Sequence, residues 1–246
     1  EFAFNQCYSL KEIMIPSSVT VIGKAAFKYC QLLKQITIPE SINSIGESLF
    51  YKCDSLEEVN IPSSVSTIGA NAFKSCKLLE QIAIPESVTS IEKAAFQLCS
   101  SLIKIIIPFS VTSIGQYAFN KCTSLAEISI SPSMTSINDS AFSECVSLTK
   151  ITIPSSVISI GDFSFNGCTS LSEVILPTSL KTIGKYSFQL CISLKKITIP
   201  SSVTFIDEYA FQSCTSLEIY ILPNNAISYG VNSFNGCSLI TFVKTA

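Results

Sequence analysis

The stretch from Cys145 to Gly167 reads C-V-S-L-T-K-I-T-I-P-S-S-V-I-S-I-G-D-F-S-F-N-G, and it is one copy of a unit that fills the chain. Phenylalanine recurs with a 23-residue period, and a cysteine occupies the third position after each one. The cysteines run from Cys7 to Cys237, and the phenylalanines are Phe4, Phe27, Phe50, Phe73, Phe96, Phe119, Phe142, Phe165, Phe188, Phe211 and Phe234. Eleven copies at one spacing, with no insertion or deletion between these landmarks, predict a solenoid of stacked repeats.

The first half of each copy has the alternation of a β-strand. Leu148, Ile151 and Ile153 form the pattern L-x-x-I-x-I, whose last two members point the same way in an extended chain. Pro154 should end this strand, because proline lacks the N–H that a strand ladder needs. The chain then returns to the core at a second corner through Val157. We therefore predict one short parallel strand per copy.

The second half of each copy begins at the position of Gly161. Other copies have glycine, asparagine or aspartate there, and one has Glu92. The first three can cap a helix or adopt positive φ, but glutamate suits neither role, so positive φ should not be required here. The spacing A-F-x-x-C would place its three named residues on one face of a helix. The sequence therefore predicts a short helical or 3₁₀ return.

The expected core has eight inward side chains per copy. Burying these eight is worth less than the conformational entropy lost when the whole copy becomes ordered, so a single copy should not fold alone. Stacked neighbours supply the missing contacts and strand hydrogen bonds. In the quoted copy the inward residues are Leu148, Ile151, Ile153, Val157, Ile160, Ser164, Phe165 and Cys168.

Composition excludes several classes of function. Hydrophobic residues make up 47% of the chain, the formal charge is −2 and there is no run of basic residues, so nucleic-acid or membrane-surface binding has little electrostatic basis. No apolar run approaches the roughly 18 residues of a membrane-spanning helix, so this segment should not insert into a membrane. With no histidine and no C-x-x-C spacing, we expect no catalytic residue, no metal site and no cofactor.

The motif I-P-x-S-V-T-x-I-G-x-x-A-F-x-x-C-x-S-L-x-x-I resembles the BspA-like, or Treponema-type, leucine-rich repeats, and the resemblance covers Phe4 to Val243. It implies an α/β repeat, a leucine-rich-repeat solenoid that is right-handed and horseshoe-like or gently curved. A parallel β-sheet would form one face, with short helical or irregular returns on the other. Residues 1–246 would form a single domain of about eleven repeats, interpreted as a fragment of a longer array. The departures are Ser131-Pro132, which moves the proline by one residue, Met134, Leu180 and Ala226 in place of valine, and Tyr220 and Tyr229 where isoleucine is expected.

The resemblance also implies a function. Members of the family are mostly surface or secreted proteins of anaerobic bacteria and parasitic protists, associated with adhesion and protein binding. The expectation is a non-enzymatic protein-binding module at the cell surface, whose partner is a host surface or matrix protein. The alternatives are a cytoplasmic leucine-rich-repeat scaffold or regulatory subunit, an array that self-associates end to end, and an enzyme that would need a further domain.

The candidate binding site lies on the outward side of the strands, where positions vary between copies. Ile103, Ile106 and Phe109 are apolar where most copies are polar, which indicates a protein-binding patch. The alternative is that Ile106 is simply a good strand former. The predicted protein-binding residues are Ile103, Lys104, Ile106, Phe109, Glu127, Ser129, Lys150 and Thr152.

Three other recurring features have structural explanations beside functional ones. The cysteines could approach within disulfide range, but their odd number favours a column of buried thiols. Stacked aromatics on the return side could form a platform for a sugar or protein, or could shield the convex surface; they are Tyr117, Phe163, Tyr186 and Tyr209. Asn138-Asp139-Ser140 matches the N-glycosylation pattern.

Overall fold

A computed structural model describes residues 1–221, 227–237 and 239–242. All regular structure there is short parallel β-strand, and strands of three or four residues alternate with strands of two, except that the two-residue strands at 67–68 and 90–91 follow each other. The longer strands are β1 (Gln35–Thr37), β3 (Glu58–Asn60), β6 (Lys104–Ile106), β8 (Glu127–Ser129), β10 (Lys150–Thr152), β12 (Glu173–Ile175), β14 (Lys196–Ile199), β16 (Glu218–Ile221) and β18 (Leu239–Phe242). The shorter strands are β2 (Ser44–Ile45), β4 (Thr67–Ile68), β5 (Ser90–Ile91), β7 (Ser113–Ile114), β9 (Ser136–Ile137), β11 (Ser159–Ile160), β13 (Thr182–Ile183), β15 (Phe205–Ile206) and β17 (Ser228–Tyr229).

The two kinds of strand form two separate faces of the solenoid. The longer strands pair with their equivalents in neighbouring coils, as in the groups β6-β8 and β10-β12-β14-β16-β18. The shorter strands pair as β2-β4-β5-β7 and β9-β11-β13-β15-β17. The sequence predicted the first set but treated the second as a corner. A two-residue strand is too short to show alternation, and only its partners in neighbouring coils define it.

Pairing between coils follows the period of the sequence. Lys104 pairs with Glu127 and Ile105 pairs with Ile128, so equivalent residues stack directly. The register changes near the end of the array, where Lys196 pairs with Glu218, one position short of a full period. Tyr220 therefore pairs with Thr198, and the expectation that Tyr220 takes an isoleucine position is wrong. Tyr229 does pair with Ile206, as predicted. The departure at Ala226 and the end of the motif at Val243 lie outside the described residues.

The predicted helical returns are wrong, because the described residues contain no helix. Each return is a run of tight turns in which the residues two before and two after the phenylalanine have positive φ, as do Ala94 (55°) and Leu98 (64°). The N–H groups of Ala94, Phe96 and Leu98 donate to carbonyl oxygens of the next coil at 2.8 to 2.9 Å. A helix would direct those donors to its own carbonyls four residues earlier. In the stack they connect neighbouring coils instead.

As the sequence predicted, the glycine at the start of the return does not have positive φ. Among the described glycines, only Gly167 and Gly236 have positive φ, and both lie later in the return. Gly69 instead sits where its coil approaches the preceding one. A Cβ atom there would lie 2.8 Å from the Ile45 carbonyl oxygen and 2.9 Å from the Glu47 nitrogen. Close backbone packing therefore favours glycine at this position.

The predicted core is confirmed, since all eight inward side chains of the quoted copy are buried. The phenylalanine rings from Phe27 to Phe211 form a continuous buried column. Neighbouring rings lie nearly parallel, with centroids from 5.2 Å (Phe73 and Phe96) to 5.8 Å (Phe27 and Phe50) apart. These distances are typical of offset stacking. The column runs through the middle of the described array.

The cysteines form a second buried column of free thiols, as predicted. Residues Cys30 to Cys214 are all buried, and none forms a disulfide. Each Sγ donates to the carbonyl oxygen of the phenylalanine one coil earlier, as Cys122 does to Phe96 at 3.1 Å. Burial disfavours the thiolate and raises the pKa of Cys30 to about 11 and that of Cys99 and Cys168 to about 12.

Replacing a ring in the middle of the phenylalanine column should strongly destabilise the fold. Phe119→Ala removes a fully buried ring that stacks on both neighbours, so we expect the free energy of unfolding to fall by about 3–5 kcal/mol. Phe109→Ala is the matched control, because Phe109 is exposed and its loss should change stability by less than about 0.5 kcal/mol. Urea unfolding followed by circular dichroism measures both. Equal losses would contradict the assignment of the core.

Replacing either of two buried serines with alanine should stabilise the fold. Ser164 and Ser187 are fully buried, and neither Oγ has a hydrogen-bond partner. Ser164→Ala and Ser187→Ala should each raise the free energy of unfolding by about 1 kcal/mol, because a buried unpaired hydroxyl costs about that much. In Ser156→Ala, by contrast, the loss of the 2.5 Å bond from Oγ to the Met134 carbonyl should lower stability. Urea midpoints that fall for all three variants would contradict this.

The thiol column should make the fold sensitive to alkaline pH. The pKa of each thiol from Cys30 to Cys191 is higher in the folded state than in the unfolded state. Each thiol therefore makes its full contribution to the free energy of unfolding below the ordinary thiol pKa of about 8.5, and this contribution is lost as pH rises towards the folded-state pKa. Above pH ~8.5 the free energy of unfolding should fall by about 1.4 kcal/mol per pH unit for each such thiol. Urea unfolding under reducing conditions from pH 7 to about pH 10 measures the slope.

Cys122→Ala provides the control for the alkaline effect. Removing this one buried thiol should make the slope shallower by about 1.4 kcal/mol per pH unit, whatever the variant does to stability at neutral pH. An unchanged slope would mean that other titrating groups cause the alkaline loss. A stability that stays flat up to pH ~10 would contradict the burial of the thiols.

Candidate functional site

The outward side of the longer strands, here called the sheet face, carries the predicted binding residues. In β6, Lys104 and Ile106 are exposed while Ile105 between them is buried. Lys104 Nζ lies 3.1 Å from a Glu127 carboxylate oxygen of the next coil. Strand alternation therefore presents one outward row of mostly charged residues beside a second row that contains Ile106.

Three apolar side chains of one coil stand out on this face. Ile103 is 50% exposed, Ile106 is 63% exposed and Phe109 is 71% exposed. They are three residues apart in sequence and lie before, within and after the strand. We call them the apolar ridge. Ile106 belongs to a regular strand, but its side chain is exposed and takes no part in the buried core.

The coils on either side of the apolar ridge differ in chemistry. The preceding coil has Glu80, Ala83 and Glu86 at the three equivalent positions, and all three are exposed. Neither carboxylate forms an ion pair with any described residue. A groove of about 700 Å³ borders Ile106, and Ala83 contributes to its lining. The two ends of the ridge, Ile103 and Phe109, therefore each have a carboxylate at the equivalent position of the preceding coil.

The following coil carries smaller side chains at two of these positions. Ala126 and Ser129 are the equivalents of Ile103 and Ile106, and both are small. A second groove of about 340 Å³ lies between Ile106 and Ser129. Ile106 consequently stands between two smaller side chains, Ala83 and Ser129. Such a shape suits a partner that places apolar groups on both flanks.

The structure brings six of the eight predicted residues together, on β6, on β8 and beside β6. Lys150 and Thr152 are exposed on the same face but belong to β10, one coil beyond β8. Lys150 Nζ lies 2.8 Å from a Glu173 carboxylate oxygen. Sequence reasoning did not include Ala83 or Glu86, although the repeat register identifies them as neighbours of Ile106 and Phe109.

The aromatic row on the return side is stacked upon itself. Phe163 and Tyr186 have ring centroids 4.7 Å apart, and Tyr186 and Tyr209 are 4.9 Å apart. The central ring therefore has an aromatic neighbour on each face. Tyr117 stands apart, because Ser140 occupies the intervening coil. This arrangement favours the shielding interpretation over an open platform.

A second return-side group was missed by sequence reasoning. It consists of three lysines and two tyrosines from three successive coils, here called the Lys–Tyr cluster: Lys28, Tyr29, Tyr51, Lys52 and Lys74. Its ammonium groups lie 5.0 to 5.9 Å from the ring centroids. The members occupy two adjacent positions of the copy, directly after the phenylalanine, and reading both positions across copies would have found it.

In the described ranges, no three His, Cys, Asp or Glu residues come together in a way that could hold a metal ion. Nor does that part of the chain contain a helix long and apolar enough to span a membrane. The Asn138 side chain is engaged, since its Nδ2 donates to the Ile114 carbonyl oxygen at 2.6 Å. Glycosylation of the folded chain at Asn138 would have to break that bond.

The two strand faces and the turn-based returns define a leucine-rich-repeat solenoid. The chain belongs to the BspA-type leucine-rich repeat family, as the resemblance indicated. The family described as "BspA type Leucine rich repeat region (6 copies)" matches residues 1–126, 43–156 and 135–245. No curated protein shows significant similarity to the chain.

Solved bacterial structures have the same fold. A leucine-rich repeat protein from Bacteroides ovatus is 34% identical with a TM-score of 0.85, and the match covers 94% of this chain and 63% of that one. A leucine rich cell surface protein from Faecalibacterium prausnitzii is 28% identical (TM-score 0.60, 99% and 76% covered). The T. pallidum leucine rich repeat protein is 25% identical (TM-score 0.53, 74% and 77% covered). This chain therefore spans less than two thirds of the B. ovatus protein.

Proposed function

We propose that this chain is a non-enzymatic protein-binding module that acts in adhesion or host-protein recognition at the cell surface. The observation that carries the proposal is the apolar ridge, which places Ile103, Ile106 and Phe109 in solvent on an otherwise mostly polar face. Exposed apolar groups rimmed by polar residues are characteristic of protein interaction sites. Membership of a leucine-rich repeat family supports the same conclusion.

The neighbours of the ridge indicate the chemistry of the partner. Glu80 and Glu86 are exposed in the preceding coil, at the positions equivalent to Ile103 and Phe109, and neither forms an ion pair with a described residue. A partner segment with apolar side chains at its centre and a lysine or arginine near each end would match this surface. The charges would set its orientation, while burial of the ridge would supply most of the affinity.

The proposed location rests on the family and on its solved members. The F. prausnitzii protein is described as a cell surface protein, and it matches 99% of this chain. A cytoplasmic scaffold remains the competing function, with the same fold and a different partner. Labelling of intact source cells with an antibody to this array distinguishes them. Surface labelling supports adhesion, whereas labelling only after permeabilisation would overturn the proposed location.

The ridge itself is tested by charge substitution. Ile106→Asp should weaken binding to the matching protein in a panel of purified extracellular-matrix proteins by about 30-fold or more, because it places a charge at the centre of the contact. Thermal stability should be nearly unchanged, since Ile106 is exposed.

Ile175→Asp is the matched control for this test. Ile175 is 45% exposed in the same outward row, three coils away, and its substitution should leave binding intact. Surface plasmon resonance measures both variants against the unmodified chain. Equal binding by Ile106→Asp and the unmodified chain would show that the ridge is not the site.

A further inference from the structure

The Lys–Tyr cluster concentrates positive charge on the return side of the solenoid. Tyr29 and Tyr51 meet edge to face at a centroid distance of 5.6 Å. Lys28 Nζ lies 5.2 Å from the Tyr29 centroid and 5.0 Å from the Tyr51 centroid, so one ammonium group contacts both rings. All five side chains are half-buried, which restricts them to this arrangement.

The lysines of the cluster differ from most other lysines of the described array. Lys24, Lys121 and Lys185, also in return segments, each pair with a glutamate of the next coil at 2.6 to 3.4 Å. Lys28, Lys52 and Lys74 form no ion pair with any described carboxylate, and their ammonium groups are held together by aromatic rings. Positive charges that are brought close together repel each other. The cluster therefore brings together three lysines for which the described residues supply no anionic partner.

We infer that the Lys–Tyr cluster is a binding site for a sulfated polysaccharide. Its three ammonium groups come from three successive coils, so they extend over roughly 10 Å, about two coil spacings. Sulfate groups on adjacent sugars of a linear chain can meet charges at such a spacing. The exposed edges of the two phenol rings provide apolar surface beside the charges, which suits the C–H groups of sugar rings.

The same geometry is less suited to nucleic acid. The ammonium groups lie near the tyrosine rings, where an unpaired base would need an open face for stacking. The chain contains no arginine to read base edges or grip phosphate through two bonds, since lysine accounts for all 16 basic residues. The overall charge of −2 also opposes a long polyanion beyond the cluster. A short sulfated segment needs only the cluster itself.

The test uses the complete chain and a fully sulfated heparin hexasaccharide, measured by isothermal titration calorimetry. Binding is expected at low ionic strength, and log Kd should rise with log salt concentration with a slope of about 2–3 for three lysine contacts. The triple variant Lys28→Gln, Lys52→Gln, Lys74→Gln should bind at least about 30-fold more weakly. The matched control Lys24→Gln, Lys121→Gln, Lys185→Gln removes three ion-paired lysines and the same total charge, and it should bind as the unmodified chain does.

Two further probes decide the class of ligand. A desulfated hexasaccharide should not bind measurably, and a single-stranded oligonucleotide of equal charge should bind more weakly than the sulfated sugar. Equal loss in both triple variants would show a general charge effect and overturn the site. Tighter binding of the oligonucleotide, or no binding of the sulfated hexasaccharide, would overturn the ligand. Ile106→Asp should bind the hexasaccharide normally, so the outcome is independent of the sheet-face proposal.

Discussion

Hydrogen bonds between successive coils determine the geometry of this solenoid. In each return from that of Phe4 to that of Phe211, the amides of the phenylalanine and of the residues two before and two after it donate to the next coil, while most of the amides between them close tight turns. Alternating the direction of the donors in this way requires residues with φ near +60°, which costs most side chains about 1 kcal/mol or more. Tyr117 and Phe163 adopt that conformation, and their N–H groups donate hydrogen bonds to the next coil. In the returns, equivalent residues of successive coils are therefore aligned.

Alignment of equivalent residues explains the choice of core side chains. A phenylalanine ring at one position always meets a phenylalanine ring of the next coil, so the rings stack in a single column. The carbonyl oxygen of a phenylalanine such as Phe96 accepts two hydrogen bonds, one from the N–H of the cysteine in its own coil and one from the Sγ of the cysteine in the next coil. Cysteine suits this place because it is small and largely apolar, yet it still offers a weak donor. Where serine replaces alanine in the adjacent column, at Ser164 and Ser187, no acceptor is present.

The period of the sequence was sufficient to predict the eight inward residues, the register of the longer strands as far as β14, and the free thiols. It was not sufficient for the returns. The spacing A-F-x-x-C is compatible with a helix, and the destination of the N–H groups of Phe96 or Leu98 is a neighbouring coil that local sequence does not reveal. The Lys–Tyr cluster was missed for a related reason. Lys28 and Lys52 are separated by one position more than the period, so no single row of the repeat contains both.

Because the inward positions are committed to stacking, recognition can differ between family members only at outward ones. Several outward lysines pair with a carboxylate of a neighbouring coil, as Lys104 does with Glu127, and exposed pairs of this kind contribute little stability. Their main effect is to neutralise part of the surface. The apolar ridge beside Glu80 and Glu86 and the Lys–Tyr cluster differ from these neutralised parts. They lie on the strand side and the return side of the coil, respectively, with the phenylalanine and cysteine columns between them. A change at one surface therefore leaves the contacts of the other intact, so the proposed protein site and the proposed sugar site would act independently.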